Sequence, residues 1–134
     1  MPSIQDDRKC FVCGPDNPAG LHLNFTESEE GITTRMRFNA HFQGWQGITH
    51  GGLVSTLLDE VMAKAVQIRG LYGVTAEMTV RFRRPVPTEK DVVVSGRVTN
   101  QRGRLVFTEG EIADTDGNVL ASAQATFFVK NQLL

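Results

Sequence analysis

The residues best suited to chemistry stand together in the run His50-Gly51-Gly52. No proline follows as far as residue 68, and apolar residues recur at helical spacing, so this run marks the start of a helix. Backbone N–H groups at a helix start have no partner within the helix, and glycine leaves them uncrowded. With the positive end of the helix dipole, they suit a developing negative charge, such as the oxyanion that forms when a carbonyl carbon is attacked.

A carboxylate follows at Asp59, a little over two helical turns further along. On a helical wheel Asp59 shares a stripe with Gly52, Ser55 and Ala63, which are all small, so the carboxylate lies on the floor of a shallow trough. The plain alternative is an exposed aspartate paired with Lys64, because a charge beside an apolar stripe is usually solvated. The helical wheel alone favours neither interpretation.

One long helix and about six strands are predicted along the chain. The helix runs from Gly51 to about Ile68, and Gly70 and Gly73 end it. Turn-forming residues indicate an irregular arm over residues 1–20, and residues 21–134 form a single domain. A mostly apolar helix needs cover on several sides, so the fold class is α+β, with a curved antiparallel sheet wrapped around one central helix. The strands are predicted over residues 21–25, 32–38, 74–83, 92–99, 105–113 and 119–129.

Composition and charge exclude several classes of protein. Hydrophobic residues make up 40% of the 134 residues and charged residues 22%, which is typical of a globular domain. The formal net charge is −1, so nothing draws the whole molecule to nucleic acid or to an anionic membrane. No run approaches the roughly 18 apolar residues of a membrane span. The charged N-terminus does not resemble a signal peptide, so we expect a cytoplasmic protein.

The run from His50 to Asp59 resembles the signature of hotdog-fold acyl-CoA thioesterases of the phenylacetate-degradation (PaaI-like) type, in which Asp follows the His of H-G-G by nine residues. The resemblance implies a hotdog fold, hydrolysis of acyl-CoA to a carboxylic acid and CoA, and a homodimer, often stacked into a homotetramer. It implies no cofactor, since CoA is part of the substrate. Further likeness extends over nearly the whole chain, in residues 10–14, 17–21 and 42–45, in Val74-Thr75 and in Arg84-Pro85.

The same resemblance implies roles for four residues. Asp59 matches the catalytic carboxylate that activates a water or attacks the thioester carbonyl itself. Gly51 matches the residue whose backbone N–H polarises that carbonyl. His50 matches the histidine that orients the thioester or helps the thiolate to leave, and Thr75 matches a Ser or Thr that positions the water.

Two observations complicate this assignment. Many family members carry Asn six residues before the His, whereas this chain has Gly44 there, so Gln43 or Gln46 would have to supply the amide. Strand alternation also puts Thr75 on the same face as Glu77, which would make it a solvent-facing residue. We prefer the catalytic interpretation, because Thr75 lies at the start of its strand, where a side chain can face a seam between subunits.

Two basic clusters suit the diphosphate and 3′-phosphate of CoA, which guanidinium groups bind well. The first consists of Arg81, Arg83 and Arg84 at the end of a predicted strand, and the second consists of Arg102 and Arg104, which flank Gly103 in a predicted turn. Each would otherwise be ordinary solvated surface, but the resemblance implies that the corresponding strand and turn contact CoA. We therefore expect substrate contacts from the helix start and from both clusters, namely from Gly52, Arg81, Phe82, Arg83, Arg102, Gly103 and Arg104.

Cys10 and Cys13 have the spacing of half a zinc knuckle. A structural zinc site takes four ligands, and the remaining candidates are only His22, His41 and His50, with no second pair at suitable spacing. We therefore expect a turn with two packed thiols and no bound metal.

Two other functions stay open. The segment His41-Phe42-x-Gly44 faintly resembles that of hotdog hydratases and dehydratases, which act on 3-hydroxyacyl thioesters, although the H-G-G run fits them poorly. A non-catalytic acyl-CoA-binding sensor is the second alternative, less favoured because Asp59 is present. Aryl, medium-chain and long-chain acyl groups all fit the sequence.

Overall fold

A six-stranded antiparallel sheet and one long helix make up the computed structural model, which describes residues 4–28 and 30–130. A short 3₁₀ turn over Ala40–Phe42 precedes the helix α1, Gly51–Gln67. Two strands come before the helix in the chain and four come after it, so the predicted α+β architecture is confirmed. The strands are β1 Thr26–Glu27, β2 Ile32–Arg37, β3 Tyr72–Phe82, β4 Asp91–Arg102, β5 Leu105–Asp114 and β6 Val119–Lys130.

The helix packs across the middle of the sheet, mainly against β4 and β5. A pair of glycines allows the close approach, since a Cβ at Gly96 would stand 2.8 Å from the carbonyl oxygen of Val61. The register partner of Gly96 in β5 is Gly110, where a Cβ would lie 3.1 Å from Met62. The buried face of the helix consists of Val54, Leu57, Leu58, Val61, Met62, Ala65 and Val66.

Strand β3 forms one edge of the sheet. The order is β1-β2-β4-β5-β6-β3, so β3 is hydrogen-bonded only to β6 within the described chain. Most of its 11 residues are exposed. A long exposed edge strand presents a row of free backbone groups and is a ready template for pairing with a second chain.

The first predicted strand is wrong. Residues 21–25 hold no strand, and β1 is only two residues long. His22 has a positive φ of 54°, which breaks an extended run. The N–H groups of Leu21 and Leu23 donate instead to the carbonyls of Phe11 and Val12 in the arm. The alternating pattern arises because these leucines still pack on the core.

The other predicted strands and the helix are confirmed in kind, with ends shifted by up to three residues. The helix ends at its cap Ile68, and Gly70 follows at a φ of 76°. Gly73, predicted to help end the helix, already belongs to β3. In the described part of the chain, no helix is long and apolar enough to cross a membrane.

Candidate active site

His50 caps the N-terminal end of the helix and is fixed by four hydrogen bonds. Its Nδ1 accepts a bond of 2.9 Å from the N–H of Gly52, and its own N–H donates to the carbonyl of Phe42 at 2.9 Å. Its carbonyl oxygen accepts from the N–H groups of Leu53 and Val54. Because Nδ1 is an acceptor, the neutral imidazole carries its proton on Nε2. The ring therefore presents an N–H donor on the side away from the cap.

Gly51 offers the free donor at this end of the helix. Among the residues that the structure describes, none accepts a hydrogen bond from its N–H. The N–H of Gly52, by contrast, is taken by His50, so it is not available for the substrate contact predicted for Gly52. A Cβ at Gly51 would lie 3.6 Å from the ring of Phe82, which places the end of β3 next to the helix start.

A pocket of about 710 Å³ opens beside the helix start. Two aromatic side chains in its wall are exposed, Trp45 at 81% and Phe82 at 57%. Trp45 is not among the substrate contacts predicted from the sequence, although residues 42–45 are part of the family resemblance. Aromatic surface beside guanidinium groups suits a ligand that is apolar at one end and anionic at the other. The wall includes Trp45, His50, Gly51, Phe82, Arg83 and Arg84.

The loop before the helix has no side-chain amide at position 44, where many family members carry Asn. Gly44 packs against His50, and a Cβ added at Gly44 would lie 3.4 Å from the Cα of His50. Of the two candidate replacements, Gln43 supports the loop itself, because its Oε1 accepts the N–H of Gly47 at 3.2 Å. Gln46 is therefore the freer of the two side chains to reach a ligand.

Asp59 lies half-buried on the helix and is paired with Thr75, whose hydroxyl donates a hydrogen bond of 2.6 Å to Oδ1. Oδ2 accepts no hydrogen bond from the described residues, so this oxygen is left for water or a ligand. The alternative pairing of Asp59 with Lys64 is wrong. The Lys64 Nζ lies 3.2 Å from Gln67 Oε1 and 4.0 Å from Glu60 Oε2 instead.

A β-bulge brings Thr75 to the helix side of the sheet. The register of β3 against β6 shifts between Thr75 and Glu77, which leaves Ala76 as the extra residue. Simple alternation puts Thr75 on the outer face with Glu77, and that interpretation is wrong because one extra residue reverses the alternation. The bulge thus aims the hydroxyl at Asp59.

The two halves of the site lie at opposite ends of β3. Gly51 lies beside Phe82, where the strand ends, and Asp59 lies beside Thr75, near its start. Eight helical steps separate Gly51 from Asp59, or about 12 Å at 1.5 Å per residue. A carbonyl group that accepts a hydrogen bond from Gly51 is therefore too far from Asp59 of the same chain for direct attack.

The first basic cluster is split by the strand. Arg83 and Arg84 line the pocket at the helix start together with Phe82, and Arg83 also borders the groove on the outer face of the sheet. Arg81 lies on the outer face of the sheet with Glu111 and Gln124, so the structure does not bring it to the pocket as predicted.

The second basic cluster forms the turn between β4 and β5. Gly103 takes a positive φ of 57° there, between Arg102 and Arg104. Leu105 pairs with Phe128 of β6, and Phe128 pairs with Val74 of β3, so this turn lies at the same end of the sheet as Thr75. The two clusters are not together within one chain.

A family model described as the thioesterase superfamily matches residues 46–121, more than half of the chain. The chain belongs to this superfamily. Its fold is the hotdog fold of the solved thioesterase structures that it resembles. The matched segment contains His50, Asp59, Thr75 and both basic clusters.

Several curated thioesterases are similar to this member of the superfamily. Acyl-coenzyme A thioesterase THEM4 is 31% identical over 108 residues in Xenopus laevis and 26% identical over 106 residues in Rattus norvegicus. Both matches cover 79% of this chain but only 48% and 46% of the relative, so the chain spans about half the length of these proteins. Acyl-coenzyme A thioesterase 13 from Homo sapiens is 31% identical over 88 residues, which is 63% of each chain.

Solved structures of the superfamily share the fold. The crystal structure of one thioesterase superfamily protein has a TM-score of 0.84 at 29% identity, covering 90% of this chain and 63% of that one. A hypothetical thioesterase protein from Streptococcus pneumoniae, crystallised with coenzyme A, has a TM-score of 0.77 at 20% identity, covering 83% and 88%.

One contact of the helix falls outside every sequence prediction. Glu60, next to Asp59, faces the thiols of Cys10 and Cys13 in the arm. Glu60 and Cys10 are 50 residues apart in the chain, so no local pattern indicates that they meet.

Proposed function

We propose that this protein hydrolyses acyl-CoA thioesters to a free carboxylic acid and CoA. The observation that carries the proposal is the Asp59 carboxylate, bound by Thr75 through one oxygen only, on a helix whose start presents the free N–H of Gly51. Relatives named acyl-coenzyme A thioesterase support the choice of substrate. Neighbouring structures with coenzyme A and with acetyl CoA support it further.

The geometry suggests a role for each group. The N–H of Gly51 donates to the thioester oxygen and stabilises its developing negative charge. Asp59 Oδ2 takes a proton from a water molecule, whose oxygen bonds to the carbonyl carbon. In the alternative route, the carboxylate attacks that carbon itself and water then hydrolyses the anhydride. The C–S bond breaks, and the departing CoA thiolate accepts a hydrogen bond from the Nε2–H of His50 and takes up a proton.

A homodimer joined along the β3 edges gives each thioester both groups. A two-fold axis pairs the edge strands antiparallel and so reverses one relative to the other. The Phe82 end of one strand then lies next to the Thr75 end of the partner strand. Since Gly51 lies beside Phe82 and Asp59 beside Thr75, Gly51 of one subunit is brought toward Asp59 of the other. Pairing of the edges therefore brings Gly51 of one subunit and Asp59 of its partner to the same end of the shared seam, whereas the two residues lie about 12 Å apart along a single helix. The proposed site is therefore shared between two subunits.

The streptococcal neighbour supports the same pair of residues. Its crystal structures include one variant with an aspartate changed to alanine and one with a threonine changed to alanine. The two altered positions are 16 residues apart, which is the separation of Asp59 and Thr75 in this chain.

The same pairing supports CoA contacts from both basic clusters. It brings the Arg83 end of one subunit toward the turn at Arg102 and Arg104 of its partner, since that turn lies at the Thr75 end of the sheet. Guanidinium groups from both subunits would then surround the nucleotide part of one CoA molecule.

Replacing both Arg102 and Arg104 with Ala is expected to raise KM for acyl-CoA several-fold with less effect on kcat, because phosphate contacts lie far from the reacting carbon. The effect should shrink as salt is added. Steady-state kinetics at low and high ionic strength measure it. The matched control replaces Arg35 and Arg37 of β2 with Ala, which removes the same charge from two arginines that pair with Asp91 of β4. An unchanged KM at low salt would contradict the contact.

Thr75→Val is expected to lower kcat at least about 10-fold, because a hydrogen bond to a charged group contributes about 1.5–3 kcal/mol. Valine keeps the shape of threonine and removes the hydroxyl that binds Asp59. Thr75→Ser keeps a hydroxyl and should retain most of the rate. Equal losses in both variants would assign the effect to packing and not to the hydrogen bond.

The function is tested by incubating the protein with a panel of aryl-, medium-chain and long-chain acyl-CoA substrates and a thiol reagent. Release of free CoA with the matching acid is the expected result, and the panel identifies the preferred acyl group. A changed acyl chain with its thioester intact would instead show a hydratase. Tight binding of acyl-CoA without turnover of any substrate would instead indicate a non-catalytic acyl-CoA-binding sensor.

A further inference from the structure

The N-terminal arm is fastened to the helix by a cluster of three side chains that can bind metal. The sulfur atoms of Cys10 and Cys13 and a carboxylate oxygen of Glu60 all lie within 4.8 Å of one another. All three side chains are partly buried. We propose that these residues bind a zinc ion, which ties the arm to the helix one residue away from Asp59.

The separations match a tetrahedral zinc site. A sulfur at about 2.3 Å and an oxygen at about 2.1 Å from zinc are roughly 3.6 Å apart at the tetrahedral angle. Cys10 Sγ lies 3.8 Å from Glu60 Oε1 and 4.0 Å from Oε2. A shift of a few tenths of an ångström would bring these atoms to bonding distance from a common ion, and water would complete the four ligands.

The turn that carries the two cysteines is built like a metal-binding knuckle. The N–H of Val12 donates to Cys10 Sγ at 3.4 Å, and such a bond stabilises a thiolate. The N–H of Gly14 donates to the Cys10 carbonyl at 2.9 Å. A Cβ at Gly14 would stand 2.2 Å from the Cys10 backbone nitrogen, so only glycine fits after the second cysteine. Both sulfur atoms are thereby turned toward the helix.

The charges around the cluster also balance. Zinc with two thiolates and one carboxylate leaves one excess negative charge. The Lys64 ammonium offsets it, since its Nζ lies 4.0 Å from Glu60 Oε2. Thiolates favour zinc over the harder cations magnesium and calcium.

The cysteine and histidine residues alone predict no metal site, because their spacing does not supply four ligands. Glu60 changes that count, since the fold brings a carboxylate from the helix to the cysteine pair. The fold thus supplies the third protein ligand.

Metal content and cobalt substitution test the site on the intact protein. Protein purified without chelator is expected to hold about one zinc per chain by mass spectrometry of metals after gel filtration. Co²⁺ added to the chelator-treated protein should produce a thiolate-to-cobalt charge-transfer band in the near ultraviolet. Absence of that band in folded wild-type protein would overturn the proposal, as would loss of both free thiols to a disulfide.

Variants separate the ligands from the rest of the surface. Cys10→Ser and Cys13→Ser should each abolish the cobalt band. Glu60→Gln should weaken zinc binding by at least about 10-fold, since even indirect partners of a metal site contribute that much. The control Glu111→Gln removes an exposed carboxylate on the outer face of the sheet and should leave zinc affinity unchanged. A Glu60→Gln variant that is folded and binds zinc as tightly as wild type would exclude Glu60 as a ligand and contradict the site.

Discussion

Asp59→Asn is expected to lower kcat at least about 10²-fold while leaving the fold intact. An amide neither takes a proton from water at neutral pH nor attacks a thioester, so both possible roles of the carboxylate are lost. Asparagine has the same shape, and its oxygen still accepts the hydroxyl of Thr75, so the half-buried position stays filled. Steady-state kinetics and thermal unfolding of the same preparation measure the two effects separately.

The matched control for this substitution is Glu77→Gln, which makes the same chemical change two residues beyond Thr75. Glu77 lies on the outer face of the sheet, on the far side of the bulge from Asp59. It should keep the wild-type rate. An Asp59→Asn variant that also keeps most of that rate would remove Asp59 from the chemistry.

Gly51→Pro is expected to lower kcat by about 10²–10³-fold, which is the usual effect of losing one oxyanion donor. Proline removes the N–H and nothing else that the helix needs, because it is favoured at the first helical position. His50 has a ψ of 131°, which suits a residue that precedes proline. The added Cβ would lie 3.6 Å from the Phe82 ring, an ordinary contact.

Gly51→Ala is the control, since it adds the same Cβ and keeps the N–H. It should retain most of the activity. If alanine and proline reduce kcat equally, bulk in the pocket and not the missing donor would account for the loss.

Local pattern predicted most of the fold, because helix and strand periodicity follow from which faces are buried. It predicted the helix from Gly51 to within one residue of its observed end. It failed at residues 21–25, where the apolar alternation is real but the hydrogen-bond partners come from the arm. Pairing with a distant irregular segment leaves no periodic signal.

In the candidate site too, local spacing predicts some features, and others depend on distant contacts. The spacing from His50 to Asp59 fixes both residues on one helix, so it was readable from the sequence. The orientation of Thr75 was not, because a single bulged residue reverses the alternation and nothing in the local sequence marks it. The contact of Glu60 with the two cysteines of the arm was not predictable either, because it depends on tertiary packing between residues 50 positions apart in the chain.

A catalytic site shared between two subunits is tested most directly with dimers of defined composition. Two different affinity tags on co-expressed chains allow each mixed dimer to be purified and verified. In the first, one subunit carries Gly51→Pro and the other Asp59→Asn. In the second, one subunit carries both substitutions and the other is wild type.

The shared site predicts opposite results for the two dimers. The first dimer joins an intact Gly51 from one subunit to an intact Asp59 from the other at one of its two sites, so it should have about half the wild-type kcat. The second dimer has one defect in each site and should be nearly inactive. An inactive first dimer together with a half-active second dimer would place Gly51 and Asp59 of the same chain in one site, and would contradict the account.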